Sequence, residues 1–118
     1  MRLKDELQLT LDDVLFDLGI HSHWKRRRDS IGTEYVVYQI ISTPNREFAN
    51  NMPIRREENV DINYYAESKS FNYDRIELIK DAMFQKGWVL SNGEQDIETL
   101  ERTLEDGINM EFTREVTM

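Results

Sequence analysis

Two histidines and a basic run lie side by side in the chain, and they are the residues best suited to chemistry. His21 and His23 are two positions apart, so they could form a metal-binding pair. A zinc site uses three or four ligands, and no acidic side chain accompanies this pair at ligand spacing. We therefore predict neither a metal site nor a cofactor.

The run Lys25-Arg26-Arg27-Arg28 is the only basic cluster of the sequence. Such a run is typical of a solvated loop or of an ion-pairing interface with an acidic neighbour. A contact with phosphate or DNA is the alternative, because clustered Lys and Arg supply the electrostatic part of nucleic-acid binding. Four basic residues on an acidic chain are a small positive surface for binding nucleic acid.

The sequence favours a protein that is not an enzyme. It contains no cysteine, and its five glycines are scattered without the spacing of a phosphate-binding loop. Neither histidine accompanies a recognisable nucleophile motif. The many carboxylates fit solvated faces better than a catalytic pair, which must be held across a cleft.

Net charge and chain length further limit the classes of protein to which this sequence can belong. The chain has 118 residues and a net charge of −8, and both ends are acidic while the middle is nearly neutral. This balance disfavours a general nucleic-acid binder and binding to an anionic membrane. No apolar run is long enough to cross a membrane, and the first residues lack a signal-peptide core. We expect a single domain over residues 1–118 in a reducing compartment.

Apolar spacing predicts the elements that position these residues. A helix is expected over 3–18, ending at Gly19, and a second helix is expected between an Asn72 cap and Gly87. Period-2 alternation predicts strands at 33–43 and 58–66. The intervening residues 20–32 and 44–57 are expected to be a connection and a long polar loop, which order on assembly.

The C-terminal third is expected to add two strands. Residues 88–90 read as a short strand and 91–93 as a turn. The spacing of Ile97, Leu100 and Leu104 predicts a short helix, with an irregular strand as the alternative, and Gly107 is expected to end this element. A final strand with Ile108, Met110 and Phe112 follows. The predicted fold is α+β: an antiparallel or mixed four-stranded sheet, two main helices on one face, and a long loop between the first two strands.

Several segments, taken in order, resemble the tail terminator family of long-tailed bacteriophages, also called tail-completion or tail-to-head joining proteins. They are the Tyr-Val-Val-Tyr strand at 35–38, Phe-Ala-Asn-Asn at 48–51, Val-Asp-Ile-Asn-Tyr-Tyr at 60–65 with Lys69 after it, and Met-Glu-Phe at 110–112. The resemblance covers about residues 11–115. The chain departs from the family in having Gly32-Thr33-Glu34 where a proline often precedes the first strand, and in a longer segment at 91–107.

The resemblance implies a virion structural protein without enzymatic activity. Such a protein forms a homo-hexameric ring that caps the tail tube and joins it to the head connector or stopper protein. DNA passes through the lumen without specific binding, and the acidic balance of this chain suits such a channel. The implied location is the virion tail at the head–tail interface, and the host cytoplasm during assembly.

Two alternatives remain open at this point: another head–tail connector or head-completion protein, and a small nucleic-acid-binding accessory protein that uses Lys25 to Arg28. The expected interface residues are polar, basic or aromatic and lie in the connection, the long loop and the second strand: Lys25, Arg26, Arg27, Arg28, Phe48, Asn50, Asn51 and Tyr65.

Overall fold

The computed structural model describes residues 1–49, 51–97 and 105–117, which form two helices and six strands in an α+β arrangement. The helices are α1 (Leu3–Leu15) and α2 (Tyr73–Gln85). The strands, in chain order, are β1 (His21–Trp24), β2 (Glu34–Ser42), β3 (Asn45–Ala49), β4 (Met52–Glu67), β5 (Val89–Ile97) and β6 (Glu105–Thr117).

These strands form one mixed sheet in the order β1-β2-β4-β6-β5, and β3 pairs with β4 off this path. β1 runs parallel to β2, whereas the other pairs are antiparallel. The prediction of a four-stranded sheet was therefore wrong, because two segments read as irregular are strands.

The first of these segments is the predicted connection 20–32. Its residues His21 to Trp24 form β1, with His21 opposite Tyr35 and Trp24 opposite Tyr38. A strand of four residues is too short to show a clear alternation of apolar and polar residues. Its two histidines also lack the apolar character that marks the buried face of a strand. The pairing places both histidines on the same face of the sheet as Tyr35 and Val37, since paired residues share a face.

The second is the predicted long loop 44–57, which is a β-hairpin. β3 pairs with the first part of β4, and Asn51 has the positive φ of 63° that a tight turn requires. Pro53 is tolerated in β4 because the ladder shifts register beside its partner Phe48, and proline fits strand irregularities. We call residues 45–49 and 51–56 the arm.

Both main helices were correctly predicted. α1 ends in a short 3₁₀ turn and then Gly19, whose φ of 74° is the left-handed conformation expected there. The Asn72 side chain accepts a hydrogen bond from the backbone N–H of Asp74, 2.9 Å away, and so caps α2. The stripe of Ile76, Ile79 and Met83 is buried as the spacing required.

The core lies between the helices and one face of the sheet. It comprises every second residue of the central strands together with the helix stripes: Leu7, Leu11, Leu15, Val36, Tyr38, Val60, Ile62, Tyr64, Ile76, Ile79, Met83, Met110 and Phe112. Each fully buried large apolar side chain contributes roughly 1.5–3 kcal/mol. The opposite face of the sheet carries no helix in the described part of the chain.

The C-terminal strands are longer than predicted. Residues 91–93 lie inside β5 at a register shift between Leu90 and Glu94, so the expected turn is a bulge. Gly107 lies within β6 and does not end a helix. Ile97 belongs to β5, while Leu100 and Leu104 of the predicted short helix fall outside the described residues.

Candidate functional site

The two histidines meet an acidic side chain that sequence spacing did not indicate. His21 Nδ1 lies 3.0 Å from one Asp29 oxygen, and His23 Nε2 lies 3.7 Å from the other. The hydrogen bond from His21 and a second from the Ile31 backbone N–H lower the pKa of Asp29. The segment after β1 thus folds back over the histidine face of the sheet.

The hydrogen bond to His23 disfavours metal ligation through its Nε2. Its Nδ1 accepts a hydrogen bond from the Arg28 backbone N–H, 3.2 Å away, so the proton of the neutral ring lies on Nε2. A metal at Nε2 would displace that proton, and Nδ1 could not take it up against a donor. Among the described residues, no group of three or more suitable side chains is placed to hold a metal ion.

The basic run is used largely within its own chain. Arg27 lies 4.1 Å from the centre of the Tyr35 ring and 3.8 Å from a Glu105 oxygen. Arg28 donates to the Trp24 carbonyl oxygen 3.2 Å away, and Lys25 lies over the Trp24 ring. Within the run Lys25 to Arg28, all of which is described, only Arg26 makes no such contact. This arrangement disfavours a nucleic-acid interface, since a single uncommitted cation neutralises few phosphates.

Tyr65 lies on the helix-free face of the sheet, because it follows the core residue Tyr64 along β4. Its ring stacks on Tyr35 with centroids 5.1 Å apart, and it is half-buried. Burial raises the pKa of Tyr65, and it raises that of Tyr35 to about 12. The pair fills the space above Gly107, whose added Cβ would lie 2.9 Å from a Tyr65 ring carbon. Tyr65 is thus already engaged inside the subunit.

The arm carries the most exposed apolar group of the sheet. Phe48 and Met52 are 61% and 66% exposed, and Ile54 is also exposed. Phe48 and Asn51, both expected at an interface, lie on β3 and at the turn; Asn50 falls outside the described residues. Met52 and Ile54 were missed, although Met-Pro-Ile before a basic pair is an alternating apolar signal.

A charged cluster at the base of the arm was also missed. Arg114 of β6 makes two contacts of 2.7 Å with the Glu6 carboxylate and one of 2.8 Å with Glu58, which is 2% exposed. Its guanidinium also stacks 4.3 Å from the centre of the Trp88 ring. The hydrogen bond from Arg114 lowers the pKa of Glu6. The cluster connects α1 to the sheet beside the arm. The carboxylates of Glu6 and Glu58 are both held by Arg114, so neither is placed to act as a catalytic acid or base.

No protein-family model matches the chain, and no curated protein sequence matches it. Neither helix α1 nor helix α2, the two helices that the described residues form, is long and apolar enough to cross a membrane. Among the described residues, the arm is the candidate contact surface, because its apolar side chains Phe48 and Met52 are exposed.

Proposed function

We propose that the chain is a virion structural subunit, a tail terminator that assembles as a hexameric ring, caps the tail tube and joins it to the head connector. The observation that carries the proposal is the arm, a paired β-hairpin that exposes Phe48, Met52 and Ile54 where no helix covers them. By the pairing of the two strands, Phe48 lies on one face of the arm, and Met52 and Ile54 lie on the other. Exposed apolar side chains on both faces of a projection are typical of a segment that inserts into a protein–protein contact.

The resembling segments support the specific form of this proposal. Val60 to Tyr65 lies in the C-terminal half of β4, and Phe48 and Ala49 end β3, with Asn51 at the turn before β4. The two segments therefore belong to one continuous structure that joins the core to the exposed contact surface. The alternative, another head–tail connector or head-completion protein, would have such a contact surface but would not stop the growth of the tail tube.

Tube growth provides the test. The tail tube protein of the same virus is polymerised in the presence and absence of the chain, and tube lengths are measured by electron microscopy. We expect tubes that stop lengthening once the chain is present. Tube lengths that do not respond at any ratio of chain to tube protein would contradict a terminator role and leave the connector alternative. Assembly with purified connector, without effect on tubes, would identify that alternative.

A further inference from the structure

We propose that the arm of one copy docks into an acidic groove between α1 and α2 of the next copy. The lining of the groove includes two acidic side chains, Asp13 and Asp81, and one basic side chain, Lys86, together with Thr10, Val14, Leu78, Ala82 and Gln85. This inference rests on the proposed function, because it names the contact through which the subunits of the ring would meet.

The arm extends beyond the part of the sheet that the helices cover. β4 has 16 residues and so spans about 53 Å, whereas each 13-residue helix spans about 20 Å. The core residues of β4 begin at Val60, and its earlier residues lie past the Arg114 cluster that holds the start of α1. Within residues 1–49, 51–97 and 105–117, no helix covers the apolar end of the arm, so a second molecule can contact it.

The charge of the arm is opposite to that of the remaining chain. Residues 45–56 carry three arginines and one glutamate, a net charge of +2, so the other 106 residues carry −10. The arm arginines already have acidic neighbours, as in the pair of Arg46 with Glu57 at 2.7 Å. The pairs of Arg46 and of Arg55 are exposed and weak, so these two arginines can be exchanged to a better acidic partner, whereas Arg56 stays paired with the buried Glu58. A second copy of this acidic chain supplies one.

The groove offers acidic side chains above an apolar floor. Two adjoining cavities of about 310 and 350 Å³ lie there and share Thr10, Asp13 and Lys86. Val14 and Leu78 are half-buried and form the floor, while Asp13 and Asp81 are exposed. The side-chain carboxylates of both aspartates make no ion pair or hydrogen bond within residues 1–49, 51–97 and 105–117. The groove thus matches an apolar end flanked by arginines.

The geometry of this contact is heterologous, because the arm and the groove are different surfaces of one chain. A heterologous contact repeated from copy to copy generates a closed ring or an open filament. Contact between two arms would instead be isologous and would end at a dimer. The two arrangements make different predictions for variants that damage one surface at a time.

The experiment uses two full-length variants. Phe48→Ser with Met52→Ser removes the apolar end of the arm, and Asp13→Lys with Asp81→Lys reverses the charge of the groove. A matched control, Asp17→Lys with Asp106→Lys, makes the same change of charge on exposed acids that lie outside the groove. Molecular mass by light scattering over a concentration series, with and without tube protein, reports assembly. Circular dichroism and thermal unfolding report folding.

We expect each groove or arm variant to weaken self-association at least tenfold while the control assembles as the wild type does. An equal mixture of the two variants should form dimers of two 14.1 kDa chains and nothing larger, since one intact arm meets one intact groove. Normal assembly of the groove variant would overturn the docking proposal and leave the terminator role standing. A wild type that never associates, alone or on tubes, would overturn both.

Discussion

At the scale of single residues, Arg114 makes the most concentrated set of interactions in the described chain. Its guanidinium joins Glu6, the buried Glu58 and the Trp88 ring, so one side chain connects α1, β4 and the segment before β5. Removing one member of a buried charged cluster leaves the others without compensation, and this is costlier than losing an exposed pair.

We predict that Arg114→Met lowers the free energy of unfolding by about 3 kcal/mol, because Glu58 keeps only the Arg56 contact at 3.2 Å. Chemical denaturation measures the loss. Adding Glu58→Leu to this variant should recover part of it, since the buried charge is then gone. The exposed Arg55–Glu115 pair at 3.6 Å is the control, and Glu115→Gln should cost less than about 1 kcal/mol. Equal losses for the two single variants would contradict this ranking.

His23 should make stability depend on pH. Burial lowers its pKa below 6.5, so the unfolded chain takes up a proton on this residue before the folded chain does. The resulting stabilisation is complete above pH 6.5 and is lost as pH falls toward the folded-state pKa. We expect His23→Asn, which retains an acceptor for the Arg28 N–H, to lack this loss. Unfolding free energies measured between pH 8 and about pH 5 test it, because carboxylates stay ionised there.

A difference between wild type and His23→Asn that stays constant over that range would contradict the assignment. Asp29, His21, Arg27 and Arg28 surround the ring and stay unchanged in both proteins, so their own effects cancel in the comparison.

At the scale of elements, the parts predicted correctly are those with a strong repeating signal. The helix stripes ending at Gly19 and beginning at Asn72 were clear, because each helix buries one face against the sheet. The centres of β2, β4 and β6 were equally clear, since their alternation is enforced by the same core. These are the elements in which burial fixes residue type at every turn or every second position.

The elements that the sequence did not predict, the arm and β1, are not required to bury one face against the core. Both faces of the arm are open, so its side chains need not alternate. Pro44, just before β3, and Pro53 suggest a loop, although Pro53 lies within β4 at a register shift that tolerates proline. β1 is a short edge strand that only pairs with β2. The contact of Asp29 with both histidines follows from the return of the chain over the sheet, which local spacing does not encode.

Gly107 is a close-packing position inside β6, where the sequence suggested an end. We predict that Gly107→Ala lowers the free energy of unfolding by about 1–3 kcal/mol, because the new methyl group would press on the Tyr65 ring and lie 3.2 Å from Ile97 Cβ. Thermal or chemical unfolding measures it. In a Tyr65→Leu background the same substitution should cost less, since the ring is absent. Additive losses would show that the two residues do not interact.

At the scale of the whole molecule, the arm makes the chain more extended than its length requires. The radius of gyration is 15.5 Å, against about 13.5 Å for a compact domain of this length. Small-angle scattering of the Phe48→Ser, Met52→Ser variant, expected to be monomeric, should give a maximum dimension of at least the 55 Å long axis. A compact profile would show that the arm folds back on the subunit when it is free.

The central claim, which we propose, is that copies of this chain join through their arms into a ring on the end of a tail tube. The most direct measurement is electron microscopy of tube ends incubated with wild type or with the Phe48→Ser, Met52→Ser variant. We predict a ring of six copies, about 85 kDa of the 14.1 kDa chain, on wild-type ends and bare ends with the variant. Bare ends with both proteins, or rings that form equally well with the variant, would contradict the account.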